Sequence, residues 1–394
     1  MSLPASAPAG VPTSEIDLFA PKVLEDPHRF DGELREIGPV VWLEKHGVYA
    51  VTRHKAIQSM YADWRNFHNF GSPFNPDTLI PAVIIIDNPP QHTRLRSAIM
   101  PYVSPAALAR YRKDFETTAQ LLIEQILDER EFDARDLAAS FVLKAFPDLL
   151  GLPLEGRHFL LNFGEAILNT LGPMNDLTIK SLERAGPAFA WVQSECSREK
   201  VLPGKLASKV YALTETADIS EEEAGLLVRT LLAAGFDTTI LGITAAFYGF
   251  TQNPDQWQLL SDPKMVRAAF EEGIRYFPPN RFGGRLVAAD TEFEGAHFKS
   301  GDRITTLLAA AGRDPRRWDD ADVFDITRPA RSHLSFGHGI HACLGQVLSR
   351  TEYDVLITAL FKHVARIEAA GPAERAVNNV ALGWGKVPIR LTLR

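Results

Sequence analysis

Apolar residues recur at spacings of three and four positions over most of the chain beyond residue 105. The segment AALARYRKDFETTAQLLIEQILDE (106–129) is an example, and this spacing is typical of helices that bury one face. Residues 27–38 predict a shorter helix that begins at a proline and ends at a glycine. Helix is therefore the predominant predicted structure.

Shorter apolar segments predict a smaller number of strands. Val40–Leu43 and Val48–Thr52 flank His46-Gly47, which predicts a hairpin. Extended segments return between Arg281 and Ile304, and a last hairpin is predicted near Val387–Leu393. We therefore predict a mainly α fold with a smaller β region.

The longest predicted helix begins at Ser220. Ser220 and Glu223 form a capping-box pattern, in which each side chain takes a free backbone N–H of the first turn. Apolar periodicity continues to about residue 250, so the helix is about 45 Å long and crosses a whole domain. Arg229 and Asp237 interrupt it, and charges are costly at the centre of a bilayer. A buried central helix is the prediction.

Composition bounds the class of protein. Of the 394 residues 45% are hydrophobic and 23% charged, a globular balance, and the net charge of −7 argues against a nucleic-acid partner. Residues 1–14 carry no signal-peptide or membrane-anchor pattern and are predicted to be a flexible tail before a single domain over 15–394. The two cysteines, Cys196 and Cys343, provide no disulfide framework, so a cytoplasmic location is predicted, with Cys196 structural.

Cys343 lies in a glycine-rich loop, FGHGIHACLG (336–345). Gly337, Gly339 and Gly345 allow the backbone to fold closely around one sulfur. The apolar segment after the loop predicts a helix whose N-terminus faces that sulfur and stabilises negative charge. Such a site favours a thiolate, which is a known ligand of haem iron. Taken alone, Cys343 leaves open a buried free cysteine at a helix start.

The spacing Phe-x-x-Gly-x-His-x-Cys-x-Gly closely resembles the haem-ligand signature of the cytochrome P450 family. The resemblance implies heme b (iron protoporphyrin IX), with Cys343 as the iron ligand and Phe336 and His341 beside the cofactor. The family most often has arginine where this chain has His341, and histidine can still donate to a haem propionate. Motifs in family order from about residue 15 to 394 imply the P450 fold, with haem between the long helix and the cysteine loop.

Glu272 and Arg275 stand three positions apart in the predicted helix FEEGIRYF, where such a pair faces one side. Alone, this element is common and indicates a surface ion pair worth less than about 1 kcal/mol. It precedes Cys343 by 71 residues, as the resemblance requires. The resemblance also implies that Arg328 joins the pair, and that the three hold the core behind the cysteine loop.

The segment AGFDTT (234–239) lies midway along the long helix. Glycine and threonine are poor interior helix residues, and a buried aspartate needs a partner. Threonine hydroxyls that bond a carbonyl one turn back open a helix locally. The resemblance gives this opening a purpose: Asp237 and Thr238 form an acid–alcohol pair that relays protons during dioxygen activation.

Three basic residues are expected around the cofactor. His92 and Arg96 are four positions apart, on one face of a predicted helix that follows Asp-Asn-Pro-Pro. A basic pair of this kind is by itself usually solvated surface. The resemblance implies that both contact haem propionates and that Arg285 is a third such contact.

Monooxygenation is the implied reaction: one atom of O2 enters the substrate, the other leaves as water, and a partner supplies two electrons. The sequence shows no flavin or dinucleotide fingerprint, and 51 residues follow Cys343. We therefore expect electrons from a separate ferredoxin and its NAD(P)H-linked reductase. Arg350, near the cysteine loop, is predicted to contribute to docking an acidic ferredoxin.

The substrate is predicted from a narrower resemblance. The segments LGPMND, RTLLAAGFDTT, AAFEEGIRYF and GRDPRRWDDADVFDIT resemble the bacterial para-methoxybenzoate O-demethylases, which demethylate methoxylated aromatic acids. Residues 66–93 contain no lysine or arginine, so a carboxylate would lack its countercharge. Leu168, Leu171 and the Gly283-Gly284 pair stand where that subgroup has bulkier residues, which implies extra room. A neutral methoxylated phenol of the guaiacol or syringol type is therefore the prediction.

The predicted pocket walls are mostly apolar. They are Phe67, Phe70, Phe74, Ile80, Val83, Leu168, Leu171, Ala234, Gly283 and Trp384.

Other reactions stay open at this point. Hydroxylation of a methoxybenzoate, a terpenoid or a fatty acid is an alternative, because apolar pockets look alike in sequence. A peroxide-driven enzyme would share the thiolate but usually lacks the acid–alcohol pair that Asp237-Thr238 provides. A non-catalytic haem carrier or sensor would need neither a proton relay nor a substrate cavity.

Overall fold

A computed structural model describes residues 7–75 and 82–394 of the chain. Within these residues the fold is mainly helical with a smaller sheet region, as predicted. The helices are α1 (Pro21–Glu25), α2 (Pro27–Ile37), α3 (His54–Ala62), α4 (Gln91–Val103), α5 (Pro105–Ala109), α6 (Arg112–Glu129), α7 (Ala134–Leu150), α8 (Phe159–Thr170), α9 (Asp176–Glu195), α10 (Leu206–Thr216), α11 (Glu221–Gly235), α12 (Asp237–Gln252), α13 (Pro263–Tyr276), α14 (Leu308–Gly312) and α15 (Gln346–Phe361).

The strands are short and lie in four sheets. They are β1 (Thr13–Ser14), β2 (Val40–Leu43), β3 (Val48–Val51), β4 (Phe67–Asn69), β5 (Glu131–Asp133), β6 (Phe282–Val287), β7 (Thr291–Phe293), β8 (Ala296–Phe298), β9 (Arg303–Leu307), β10 (Val364–Ala369), β11 (Glu374–Arg375), β12 (Trp384–Lys386) and β13 (Pro388–Leu393). The largest sheet has the order β1-β2-β3-β9-β6-β4. It contains the predicted β2–β3 hairpin, in which Val41 pairs with Ala50.

Two predictions about the ends of the chain are wrong. Residues 388–393 form a single strand, β13, which lies between β10 and β5 and pairs antiparallel with both. The expected tail is shorter than 14 residues, because Thr13 and Ser14 form β1 alongside β2 and Val11 is buried. Both errors arise because the partner strands lie far away in sequence.

The predicted long helix crosses the centre of the molecule as α11 and α12. The Ser220–Glu223 capping box is present: Glu223 N–H donates to Ser220 Oγ over 3.1 Å, and Ser220 N–H donates to Glu223 Oε2 over 2.9 Å. The combined helix is long and apolar enough to cross a membrane, but 61% of its most apolar window is buried inside the protein. It therefore fits the core helix that the sequence predicts.

Candidate active site

A cavity of about 980 Å³ lies between the central helix and the loop that contains Cys343. Asp237 and Thr238 line it on the helix side, and Cys343 and Phe336 line it on the loop side. The cavity is at the upper end of the size range of small-molecule and cofactor sites. The fold therefore brings the two most distinctive sequence motifs to one space.

The cysteine loop is held in a tight conformation by its own backbone. Cys343 N–H donates to the Phe336 carbonyl over 2.7 Å, which closes the loop. Gly337 and Gly339 adopt φ values of 69° and 71°, in the left-handed region that favours glycine. A Cβ on Gly339 would collide with the Tyr61 carbonyl. These positions explain why the loop needs its glycines.

The surroundings of the Cys343 sulfur shift the pKa of its thiol in opposite directions. Burial raises the pKa of the Cys343 thiol, whereas the backbone N–H groups of Gly345 and Gln346 and the Arg96 guanidinium lower it. Helix α15 begins at Gln346, so its N-terminus points towards the sulfur. This is an arrangement that stabilises a thiolate once a cation binds it.

His92 and His341 form a pair that suits an anionic ligand; His341 lines the cavity, and His92 lies behind it. The rings of His92 and His341 lie 4.3 Å apart, and their ring nitrogens are buried with no hydrogen-bond partner of good geometry among the described residues. Burial, together with His92 and Arg285, lowers the pKa of His341 to about 3. Neutral rings can still donate one N–H each to a carboxylate.

Arg96 and Arg285 complete this basic group. Arg96 Nη2 donates to the Ala342 carbonyl over 2.5 Å, and both arginines line the cavity. Arg285 lies over the Tyr61 ring at 3.9 Å and donates to the Asn69 side chain. A flat macrocycle with two carboxylates, held by one sulfur, fits these residues.

The predicted opening of the central helix is present at the cavity. Helix α11 ends at Gly235 and α12 begins at Asp237, with Phe236 at φ −107° and ψ −53° between them. The Thr238 hydroxyl donates to the Ala234 carbonyl over 3.0 Å, one turn back. That carbonyl is therefore engaged by a side chain at the point where the helix is interrupted.

Asp237 is buried and has a cationic neighbour. Its Oδ1 lies 3.6 Å from Nη2 of Arg135, at the start of α7. Burial raises the pKa of the Asp237 carboxyl, Arg135 lowers it, and Glu165 raises it. Such a group exchanges a proton more readily near neutral pH than an exposed aspartate does.

Glu272, Arg275 and Arg328 meet behind the cysteine loop. Arg275 donates to both carboxylate oxygens of Glu272, over 2.6 and 2.7 Å, and neither side chain is exposed. Arg328 Nε lies 3.4 Å from the same carboxylate. Arg275 also donates to the carbonyls of Gly312 and Ala321. The group therefore joins α13 to the segments that precede the loop.

The cavity wall contains half of the predicted pocket residues. Phe70, Leu168, Leu171, Ala234 and Gly283 line it. Ile80 lies outside the described residues. Val83 is half-buried against the helical core and does not line the cavity.

Three aromatic residues of the predicted pocket pack elsewhere. Phe67 is buried on β4 against aromatic residues of β7 and β8. Phe74 meets Phe19 edge to face at 4.8 Å. Trp384 stacks on Tyr248 at 3.8 Å. Aromatic side chains that look available in sequence are used here to bury other aromatic surface.

The Gly283-Gly284 pair does not create the extra room that the sequence implied. A Cβ on Gly283 would lie 2.7 Å from the Tyr61 hydroxyl, and one on Gly284 would lie 2.8 Å from the Phe70 carbonyl. Tyr61 is itself fixed by a 2.6 Å hydrogen bond with Thr306. The glycines therefore allow strand β6 to approach its neighbours closely.

Arg350 does not present a free charge for docking. Its Nε and Nη2 donate to Glu271 over 2.5 and 3.0 Å, and its guanidinium lies 4.4 Å from the Phe336 ring. His333 Nε2 lies 2.9 Å from the same carboxylate. Burial raises the pKa of Glu271, but hydrogen bonds from His333 and Arg350 outweigh it and hold the value at about 2. Arg350 therefore supports the loop from inside.

The residues that sequence reasoning missed include three polar residues that line the cavity and one, Arg135, that lies behind its wall. Tyr61 and Asn69 contact Arg285, Arg135 faces Asp237, and Arg229 lines the end formed by α9 and α11. A partner for Asp237 was expected on physical grounds, but no spacing rule pointed to a residue about 100 positions earlier. Arg229 appeared in the sequence only as a charge that argued against a membrane helix.

Comparison with known proteins gives a consistent result. The cytochrome P450 family model matches residues 204–368. Cytochrome P450 CYP199A2 of Rhodopseudomonas palustris is 39% identical over 100% of this chain and 97% of its own length. The biotin biosynthesis cytochrome P450 of Bacillus subtilis is 30% identical over 73% of this chain and 74% of its own. The solved structure of cytochrome P450 CREJ in complex with (4-ethylphenyl) dihydrogen phosphate matches with a TM-score of 0.86 at 25% identity, over 94% of this chain and 98% of that one.

A mainly helical fold, in which a glycine-rich cysteine loop faces an interrupted central helix across one cavity, is that of a haem-thiolate oxygenase. The chain belongs to the cytochrome P450 family. It is a monooxygenase, an oxidoreductase that uses heme b held by a cysteine thiolate, and Cys343 is the cysteine that lines the cavity.

Proposed function

We propose that this monooxygenase hydroxylates or O-demethylates a small aromatic substrate, with a neutral methoxylated phenol of the guaiacol or syringol type as the substrate class. The observation that carries the proposal is the apolar wall formed by Phe70, Leu168, Leu171 and Ala234 beside Thr238. In the described part of the chain, the arginines lining the cavity near the loop are Arg96 and Arg285, which the cofactor carboxylates would engage. A neutral ring needs no further countercharge.

The chain's own residues have distinct parts in this reaction. When bound, the haem supplies the iron at which O2 is reduced and one oxygen atom is inserted. Cys343 would hold the iron, and His92, Arg96, Arg285 and His341 would hold the propionates. The site walls orient the methoxy carbon and exclude water.

Proton delivery is assigned to the opening of the central helix. Protons from solvent can reach Asp237 beside Arg135, because the Arg135 side chain is 20% exposed and lies 3.6 Å from the Asp237 carboxylate. Thr238 lies on the cavity side and can pass a proton inward through its hydroxyl. A non-catalytic haem carrier would gain nothing from this arrangement.

Electrons are proposed to come from a ferredoxin and an NAD(P)H-linked ferredoxin reductase in the cytoplasm. The family uses redox partner proteins, and the sequence shows no flavin or dinucleotide fingerprint of its own. Product formation with a ferredoxin–reductase pair, and none with the reductase alone, tests this part.

A second candidate substrate is an acid with an apolar body, such as a methoxybenzoate or a fatty acid. Arg229 is half-buried at the α9–α11 end of the cavity and makes no ion pair within the described residues. Gln193 and Thr230 line the same end, and the Thr230 hydroxyl is buried without a partner there. A carboxylate would fit this group.

Spectral titration of the haem-loaded protein distinguishes the two candidates. Syringol, 4-methoxybenzoate and dodecanoate are added separately, and the change in the spin state of the haem is followed through the Soret band. A strong shift with syringol that the Arg229→Gln variant retains supports the neutral substrate. A shift with either acid that Arg229→Gln loses, with no response to syringol, overturns it. Arg198→Gln, which removes an exposed charge, is the matched control.

A further inference from the structure

A cationic and aromatic group outside the cavity surrounds the Phe277 ring at the end of α13. The His28 ring centroid lies 5.1 Å from that of Phe277, and the guanidinium carbons of Arg313 and Arg375 each lie 5.1 Å from it. Trp384 is 5.7 Å away on the remaining side. We call these five residues the Phe277 cluster; none of them lines the cavity.

Several donors of the Phe277 cluster lack acceptors. Arg375 Nη1, Trp384 Nε1 and both ring nitrogens of His28 are buried, and none has a hydrogen-bond partner in residues 7–75 and 82–394. Buried donors are nearly always satisfied, since each one left unpaired costs free energy. A neutral imidazole has one N–H and one acceptor nitrogen, so three of these four atoms are donors. Three unpaired donors in one cluster indicate that an acceptor belongs among them.

The charges in the cluster are unbalanced in the same sense. Arg375 makes no ion pair within the described chain, and Arg313 meets Asp322 at 3.5 Å, where that carboxylate is 75% exposed. Burial and then Arg313 lower the pKa of Arg375 to about 10. Burial, followed by Arg313 and Arg375, lowers the pKa of His28 well below its usual value. Burial is the larger cause of both pKa shifts, and the neighbouring guanidinium groups add to it in the same direction.

Contacts with aromatic faces do not remove this excess. Arg375 lies 4.0 Å from the Trp384 ring and Arg313 lies 3.6 Å from the Tyr276 ring. Such contacts stabilise a cation through the ring face but provide no acceptor for the N–H groups in the guanidinium plane. Arg313 donates instead to the Tyr276 carbonyl and to Asp322, whereas Arg375 Nη1 has no acceptor among the described residues. A guanidinium group can stack on an aromatic ring and donate hydrogen bonds in its own plane at the same time. An acceptor in that plane would therefore satisfy the remaining donors of Arg375.

We propose that the Phe277 cluster binds a small inorganic anion, a halide or a phosphate, which accepts hydrogen bonds from Arg375, Trp384 and His28. The anion would join α2, the end of α13 and strand β12. The segment just before β12 lies next to the cavity, where Leu382 N–H donates to the Pro279 carbonyl over 2.9 Å. An anion here therefore stabilises a segment that supports the cavity wall.

The test measures anion binding and thermal unfolding of the haem-loaded full chain. Sodium bromide and sodium phosphate are titrated at constant ionic strength, with sodium gluconate as the balancing salt. We expect saturable binding by calorimetry and a saturable rise in the unfolding temperature, because a ligand that binds only the folded state stabilises it. Preference for bromide indicates a halide site, and preference for phosphate indicates an oxyanion site.

Two variants and one control assign the binding to the cluster. Arg375→Gln is expected to weaken anion affinity at least tenfold, and Trp384→Phe, which keeps the aromatic ring and loses its N–H, severalfold. Arg366→Gln removes the same charge from an exposed ion pair and should leave binding unchanged. Equal responses of Arg375→Gln and Arg366→Gln would overturn the proposal.

A crystallographic measurement covers the case in which Arg375→Gln does not fold. Crystals of the unchanged protein soaked in bromide should show an anomalous peak within hydrogen-bond distance of Arg375 and Trp384. A well-ordered cluster without that peak, together with no saturable binding of phosphate, would show that the arginines serve only as a framework.

Discussion

The carboxylate of Asp237 faces Arg135 across 3.6 Å, whereas the neighbouring Thr238 hydroxyl donates to the Ala234 carbonyl. The acid and the alcohol are therefore adjacent in the chain but have different partners. Asp237 connects to α7 and the outside, and Thr238 connects to the cavity. Both residues lie in the first turn of α12, directly after the point where the helix is interrupted.

Replacing Asp237 by asparagine should slow turnover by about 10²-fold, the range expected for loss of a positioned proton-transfer group. Asparagine preserves the size of the side chain but has no carboxyl group that can take up a proton from solvent and release it. Steady-state NADH oxidation with saturating ferredoxin measures the effect, and a solvent isotope effect should accompany it.

The control for this variant is Glu165→Gln, since Glu165 influences the pKa of Asp237 without lining the cavity. It should change the rate less than threefold. A fall in rate of the same size in both variants would assign the effect to local charge and contradict the relay.

Replacing Thr238 by alanine should leave the rate of electron uptake unchanged but divert the electrons from product to hydrogen peroxide. Without the hydroxyl, proton delivery to the dioxygen that is being reduced is no longer directed. We therefore expect the yield of product per NADH to fall about tenfold and the yield of hydrogen peroxide to rise. Thr244→Ala removes a hydroxyl with the same bond one turn back, Thr244 to Ile240, in a buried part of the helix away from the cavity. Equal peroxide yields from the two variants would rule out the role assigned to Thr238.

Replacing Glu272 by glutamine should destabilise the protein by about 3–5 kcal/mol, because Arg275 would be left buried without its carboxylate. Chemical denaturation measures this loss, and the ratio of Soret to protein absorbance should show reduced haem incorporation. The matched control is Glu33→Gln in the exposed Arg29–Glu33 pair, where we expect less than about 1 kcal/mol.

Glu352 provides a prediction about pH. Its side chain is fully buried, neither carboxylate oxygen has a hydrogen-bond partner in the described residues, and burial raises its pKa well above 4.5. Above about pH 4.5 the unfolded chain releases this proton and the folded protein keeps it, so stability falls as pH rises towards the folded pKa. Glutamine needs no proton and avoids that cost.

The Glu352→Gln variant should therefore gain stability over the unchanged protein as the pH rises from 5 to 8, by about 1.4 kcal/mol for each pH unit crossed below the folded pKa. Denaturation at several pH values measures the difference. Glu183→Gln, at an exposed site on α9, should show no such trend. A constant difference between Glu352→Gln and the unchanged protein would contradict the raised pKa.

The sequence predicted the parts of the site that depend on local spacing. The turn around Cys343, the capping box at Ser220 and the threonine bond at the helix opening each involve residues within a few positions of one another. Local geometry limits such groups to few conformations, so their spacing carries structural information. The mainly α fold followed from periodicity for the same reason.

Predictions from sequence were wrong for residues whose role depends on which face of a helix or strand meets the cavity. Phe67 and Trp384 are aromatic residues that were predicted to line the pocket, but both pack against other rings. Arg350 is close to Cys343, yet Glu271 neutralises it from another helix. Long-range partners of this kind become known only once the helices and strands are placed together.

The contact between Tyr61 and Gly283 has a consequence for engineering. Because a methyl group at position 283 and the hydroxyl at position 61 compete for the same space, the two sites cannot be diversified independently. A substitution at position 283 alone forces the Tyr61 hydroxyl to move away from Thr306, whereas pairing Gly283→Ala with Tyr61→Phe removes the collision. The range of substrates that this scaffold can be evolved to accept is thus coupled to a tyrosine on α3, more than 200 positions before the glycine in the chain.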